Sequence, residues 1–175
     1  TLSVDAKGQD ASQAHEFLSA LDLGLFLEVI DVPASAINYR EAVKVIEDYK
    51  PLDVQSAAMS LALCREIRKR YPEWIYLADG GHVRSWAPAA TFGFRGFSPF
   101  ALPNVIEVSE GIPFIELTDW DHGKLYELKG EVVRRGIEQI TGHTMPVFEK
   151  RRFQRGAAAD ETFTALFPAE EITYR

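Results

Sequence analysis

Apolar positions along the chain change their period several times, and each change marks an expected element. Thr1-Leu2-Ser3-Val4 alternates with a period of two, which predicts a strand already under way where the sequence opens. Ala14, Phe17, Leu18 and Leu21 then fall at i, i+3, i+4 and i+7, one face of a helix over 10–23. Asp10, with Gln13 three residues on, supplies a start signal for that helix, and Gly24 supplies its stop. Residues 25–32 form an apolar run closed by Pro33, a second strand. A strand, a helix and a strand in that order suit a parallel pair joined by a crossover.

The next stretch repeats the alternation at greater length. Residues 39–49 predict a short helix with Ala42, Val43, Ile46 and Tyr49 facing inward, broken at Pro51. Asp53 suits the cap of a long helix over 54–71, with Ala57, Ala58, Leu61, Cys64 and Ile67 on one face. Arg65, Arg68, Lys69 and Arg70 crowd its last turns, where cations favour the helix dipole. Trp74-Ile75-Tyr76-Leu77-Ala78 is unbroken and apolar, the pattern of a buried parallel strand, and it runs into Asp79-Gly80-Gly81.

Beyond this point the period weakens. Residues 84–103 mix Pro88, Pro99 and Pro103 with Gly93, Gly96 and several aromatics, and predict a loop. A short helix over 102–110, a helix within 120–142 built on Leu125, Leu128, Val132, Val133, Ile137 and Ile140, and a last weak helix around Phe163 and Leu166 follow. The expectation is one α/β domain. Its parallel sheet holds 1–4, 25–32 and 74–78, helices 10–23 and 54–71 flank it, and a mainly helical half follows.

Composition narrows the class without naming it. The chain has 175 residues, 46% hydrophobic and 26% charged, enough to bury a core. Nineteen basic against twenty-six acidic residues leave a formal charge of −7, which argues against a general nucleic-acid or membrane-surface binder. No apolar run approaches the length of about 18–20 residues that a membrane span needs. Cys64 is the only cysteine, so an internal disulfide and a cysteine zinc cluster are both excluded. The first residues lack the basic start and apolar stretch of a signal peptide, and a cytoplasmic protein is the expectation.

Two places could hold chemistry. Ligands of open parallel sheets bind beyond the carboxyl ends of strands. Here those ends are Val4-Asp5, with Gly8 after them, and Ala78-Asp79-Gly80-Gly81. Gly-Gly after a strand lets backbone N–H groups approach a phosphate, and equally makes a plain turn. The second place is Lys150-Arg151-Arg152-Phe153-Gln154-Arg155-Gly156, with four cations in six residues of an acidic protein. That stretch suits a polyphosphate, or is a solvated basic loop. His15, His82, His122 and His143 show no metal-ligand spacing, and no metal site is expected from them. Asp119, Asp121 and His122 could hold a metal, but an acidic helix start explains them better. Nucleophile-elbow, Walker A and dinucleotide motifs are absent.

In order along the chain, these pieces resemble the synthetase domain of the asparagine synthetase family. Thr1-Leu2-Ser3-Val4-Asp5 is similar to the family's Thr-Phe-Ser-(Ile/Val)-Gly strand. Residues 10–23 and 25–32 are similar in place to the helix and strand that follow it. Glu47-Asp48-Tyr49-Lys50-Pro51-Leu52-Asp53-Val54 and the helix after it resemble the Glu-Thr-Tyr-Asp-Val turn and its helix. Tyr76-Leu77-Ala78-Asp79-Gly80 looks like the start of the strand and loop ending Ser-Gly-Glu-Gly-Ala-Asp-Glu. Phe94-Arg95 with Ser98-Pro99-Phe100 resembles Glu-Xaa-Arg-Xaa-Pro-Phe. Lys150, Phe153 and Gly156 match Lys-Xaa-Xaa-Phe-Xaa-Xaa-Gly.

The resemblance implies an adenine nucleotide alpha hydrolase-like fold and an ATP-dependent ligase. Its substrate carboxylate, aspartate by default, is adenylated with release of pyrophosphate, and ammonia or another amine then displaces AMP. It implies ATP and Mg²⁺ as cofactors, a backbone contact from Val4 to adenine, Asp79 and Gly80 lining the nucleotide pocket, and Lys150 as the catalytic cation. A separate glutaminase and a homodimer are the implied partners.

Departures accompany the matches. The family's Ser-Gly-Gly-Xaa-Asp-Ser loop would precede Thr1 and is not in the sequence, nor is the glutaminase domain with its N-terminal cysteine. Gly93 stands in place of a glutamate, and two extra residues follow Arg95. The rest of the acidic loop is missing after Gly80, so a segment is expected to be absent between Gly80 and Gly81. The rival expectation is a diverged, non-catalytic relative that keeps the fold as an interaction module.

Overall fold

Thr1-Leu2-Ser3-Val4 and the end of the 25–32 run pair as the alternation requires, side by side and parallel. In a computed structural model describing residues 1–78, 83–128, 130–148, 152–164 and 167, the chain is mixed α/β. The order is β1 (Leu2–Val4), α1 (Gln9–Ala20), β2 (Ile30–Val32), α2 (Tyr39–Ile46), α3 (Pro51–Arg70), β3 (Tyr76–Ala78) and α4 (Val83–Thr91). It continues with β4 (Arg95–Phe97), α5 (Pro103–Glu110), α6 (His122–Glu127), α7 (Glu131–Thr141), α8 (Phe153–Ala157) and α9 (Glu161–Thr164).

The strands form two sheets rather than one. β1 pairs with β2 in parallel, Leu2 opposite Ile30 and Val4 opposite Val32. β3 pairs with β4, also in parallel, Tyr76 opposite Arg95 and Ala78 opposite Phe97. The expectation that 74–78 joins the sheet of the first two strands is therefore corrected. The stretch expected to be a loop contains α4 and β4, and the chain leaving β3 returns through α4 to its parallel neighbour, a second crossover unit. Pro88 inside α4 hid that helix, since an internal proline ordinarily argues against one.

The chain divides into two compact units, Thr1–Ser12 with Glu28–Phe100 and Arg151–Arg175, and Gln13–Leu27 with Ala101–Lys150. The first unit has a core built on α3. Val54, Ala57, Ala58, Met59, Leu61, Ala62 and Cys64 are all buried, so apolar side chains surround the helix, as befits a central one. Its alanines allow close approach, and α2, α4, α8 and β2 pack on it. The helix starts at Pro51, whose missing N–H costs nothing at the first position, so Asp53 sits inside the first turn rather than capping it. Asn38 caps α2, its side-chain oxygen accepting from the Glu41 N–H at 3.0 Å.

The end of α3 is tied to the second sheet by Arg68, beside an apolar cluster of Cys64 and Ile67 with Leu77, Ala89 and Phe94. The Arg68 guanidinium donates to the carbonyls of Phe92, Pro72 and Trp74, and lies 3.9 Å from the centre of the Phe94 ring. Glu28, just ahead of β2, is tied to the same helix end by Arg70 and by the Tyr71 hydroxyl.

The second unit is helical and thinly packed. Among the described residues Thr118 is its one buried residue, with its hydroxyl shared between the Phe114 and Ile115 carbonyls. Glu131 in the first turn of α7 accepts from both Arg134 and Arg135. Leu117, Trp120 and Ile140 are exposed.

Candidate functional site

The carboxyl end of β1 is the best-defined candidate. Thr1 accepts from Ile30, and Asp5 donates to the Val32 carbonyl at 3.0 Å, so the odd-numbered residues of β1 face β2. Backbone groups alternate sides along a strand, and the N–H of Val4 therefore points away from β2. The Val4 carbonyl accepts from Lys7 at 3.0 Å in the turn that follows, and its side chain is buried. The Val4 N–H thus faces away from β2, and its carbonyl retains a second lone pair, on a residue that is 1% exposed.

That turn is strained. Asp5 and Ala6 both adopt the left-handed region, at φ 50° and 55°. Aspartate tolerates this conformation, whereas alanine has no side-chain hydrogen bond to offset it. Neighbours hold the geometry. Ala6 N–H donates to Asp31 Oδ1 at 2.7 Å, Ala34 N–H to Asp5 Oδ1 at 3.0 Å, and Gly8 N–H to Ser3 Oγ at 3.2 Å. Strained backbone fixed by several surrounding bonds is characteristic of ligand-binding turns.

A segment nearly 150 residues away closes on the same place. A Cβ on Gly8 would stand 2.9 Å from the Ala157 carbonyl oxygen and 3.0 Å from Ser3 Cα, so α8 presses on the exit of β1. A Cβ on Gly156 would overlap the Asp10 carboxylate, so glycine alone fits there without displacing that group. Gln154, Gly156, Ala157 and Ala158 are buried, while Arg152 and Arg155 remain exposed. The buried residues of α8 and just after it, Gln154, Gly156, Ala157 and Ala158, are its packing face.

Of the residues singled out by sequence, Val4 lies at this turn. Asp79, Gly80 and Lys150 lie outside the described residues, as do Arg151 and the Gly80–Gly81 junction. Asp121 is a helix cap, its Oδ1 accepting from Gly123 at 2.8 Å and Lys124 at 3.3 Å. Among the described residues no group of three or more His, Cys, Asp or Glu is arranged to hold a metal ion. Asp5 was singled out only as a strand end and Asp31 not at all, because their work is to fold the turn. The one signal was the glycine that the resembling strand pattern carries at the position of Asp5.

No protein-family model, curated protein or solved structure matches the chain.

Proposed function

We propose that the protein is an ATP-dependent amide-forming ligase of the asparagine synthetase kind, on an adenine nucleotide alpha hydrolase-like fold. It activates a small carboxylate, aspartate by default, and transfers ammonia or an amine to it. The supporting observation is the meeting of two segments that have no local reason to touch. They are the exit of β1, similar to Thr-Phe-Ser-(Ile/Val)-Gly, and α8, which carries the Phe and Gly of Lys-Xaa-Xaa-Phe-Xaa-Xaa-Gly.

The chemistry follows from what each residue offers. The outward N–H of Val4 donates to a ring nitrogen of adenine. Asp79 and Gly80 line the nucleotide. A carboxylate oxygen of the substrate attacks the α-phosphorus, and the bond to pyrophosphate breaks. The amine nitrogen then attacks the activated carbonyl carbon and loses a proton as AMP departs. Lys150 supplies a compact cation for the phosphoryl oxygens as charge builds in that second step. Mg²⁺ bound with the nucleotide would supply charge neutralisation at its phosphates. A separate glutaminase supplies the ammonia, and a cytoplasmic homodimer is the proposed working form.

The test is pyrophosphate release and amide formation by the full-length protein with ATP, aspartate and ammonia. Lys150→Ala is expected to lower kcat by about 10²–10³-fold, the range for losing one preorganised charge-stabilising donor. The KM for ATP should change less, because the group acts on the transition state. Lys150→Arg should rescue poorly, since a planar fork replaces a point charge. Equal turnover by wild type and Lys150→Ala would remove Lys150 from the site. Absence of ATP-dependent pyrophosphate release from the full-length protein across small carboxylates would sink the ligase itself.

A further inference from the structure

We propose that Gly8, Asp10 and Gly156 are positioning residues. By fixing how closely α8 seats on the exit of β1, they set the place of the basic stretch that enters α8 at Arg152. The inference rests on the ligase reading and adds to it three residues that act through α8 rather than on the reacting atoms.

A helix of five residues has little stability of its own, so docking decides where α8 sits. Apart from Gln154, the buried residues in and just after it are Gly156, Ala157 and Ala158, whose side chains offer little area to hold. Close backbone approach takes the place of large side chains. Neither Gly8 nor Gly156 has a positive φ, so space rather than backbone conformation calls for glycine at both. At Gly8 the fit is rigid. A Cβ there would lie 2.9 Å from the Ala157 carbonyl oxygen, 3.0 Å from Ser3 Cα and 3.2 Å from Ser3 Cβ. These neighbours are the backbone of α8 and a buried strand residue, so a methyl group enters only if helix or strand moves. At Gly156 the fit is softer. A Cβ there would overlap Cγ and both carboxylate oxygens of Asp10, the end of one side chain that can rotate.

Chemistry is sensitive to such a shift. Reacting groups must be held in near-attack geometry, and a displacement of about 1 Å can cost about 100-fold in rate. Lys150 stands three residues ahead of α8 in the sequence, so moving the helix moves the point from which the basic stretch departs.

Pyrophosphate release by the full-length protein with ATP, aspartate and ammonia, together with amide exchange in α8, tests this. Gly8→Ala should lower kcat by about 100-fold with little change in the KM for ATP. On a Lys150→Ala background the same substitution should cost little more, because residues acting as a unit are not additive. Gly156→Ala should also lower kcat, and adding Asp10→Ala should restore part of it by removing the atoms that the new methyl meets. Exchange at Ala158, whose N–H donates to the Gln154 carbonyl, should quicken in Gly8→Ala and in Gly156→Ala, and slow again when Asp10→Ala is added to the latter. If Gly8→Ala does not fold, Gly156→Ala with and without Asp10→Ala decides. In an active protein, undiminished kcat in Gly8→Ala, an equal further loss on Lys150→Ala, or no relief of Gly156→Ala by Asp10→Ala overturns this inference alone. A wild type that releases no pyrophosphate with any small carboxylate overturns the ligase reading, and the positioning role falls with it.

Discussion

The two sheets of the first unit are built alike and buried unlike. Each is a pair of three-residue parallel strands joined through a helix. β1 is buried at all three positions and β2 at its two apolar ones, whereas β3 and β4 have no fully buried position. Leu2 and Val4 reach 0% and 1% exposure, while Tyr76 stands at 61% despite the more continuous apolar run around it. Apolar sequence makes a strand available for burial. A covering element decides whether burial happens. For β1 that element is α8, which closes on the strand from far along the chain. The sheet with the cover is also the one whose exit turn is strained and held by side-chain bonds.

The two sheets should therefore answer mutation differently. Leu2→Ala removes a fully buried side chain, and an expected loss of about 2–5 kcal/mol would be read from denaturant unfolding. A loss under about 1 kcal/mol would mean that β1 is not the packed strand described. Arg68→Ala comes next. It deletes donors to three carbonyls and the ring contact with Phe94, at an expected cost of about 1.5–3 kcal/mol for hydrogen bonds to a charged group. Part of that is screened, because two of the three bonds are exposed. Amide exchange should quicken at Arg95, which donates to the Ile75 carbonyl, more than at Ile30, which donates to Thr1.

Acid separates the sheets in the opposite sense, with a smaller effect. Hydrogen bonds from Tyr71 and from Arg70 hold the Glu28 carboxyl below its ordinary value of 4.5. A carboxyl lowered on folding stabilises above its unfolded pKa, and that contribution disappears as pH falls through the folded value. Acidification below about pH 4.5 should thus loosen the tie between β2 and the end of α3 and quicken exchange at Ile30. Arg68 binds carbonyls, which do not titrate, so the second sheet should be indifferent to the same change. Glu28→Gln should abolish the pH dependence at Ile30, and an unchanged profile in that variant would show that another group governs it.

The strand–helix–strand start, the parallel pairing of 1–4 with 30–32 and the inward face of α3 were legible in the sequence because side-chain periodicity reports them directly. Residues 24–26 instead form a 3-10 turn, and β2 begins only at Ile30, since the apolar run carries no mark of where pairing starts. Tyr49, expected inward, lies past the left-handed Glu47 that ends α2, and is exposed. The site was legible only in pieces. Strand-end logic and resemblance singled out Val4 as a candidate, and Phe153 and Gly156 of the resembling pattern fall on α8, which packs against the exit of β1. The left-handed Asp5 and Ala6 and the bonds from Asp31 were not legible, because bonds made across a fold have no local signature.

Tyr76 tests the comparison at the point where the expected effect is nearly nil. The apolar run 74–78 predicted a buried strand, yet Trp74, Ile75 and Tyr76 are 46%, 54% and 61% exposed. With that much of the ring in water, Tyr76→Thr keeps a strand-favouring side chain and removes little buried area. The expected change is within about 0.5 kcal/mol, the usual range for surface positions. Fully burying a large apolar side chain contributes about 1.5–3 kcal/mol. A measured loss in that range would mean that the face of the second sheet is covered in the full-length protein, and that the contrast with β1 is one of the elements present rather than of the two sheets themselves. A null result at Tyr76 beside a large one at Leu2 leaves cover, not strand composition, as the cause of the difference.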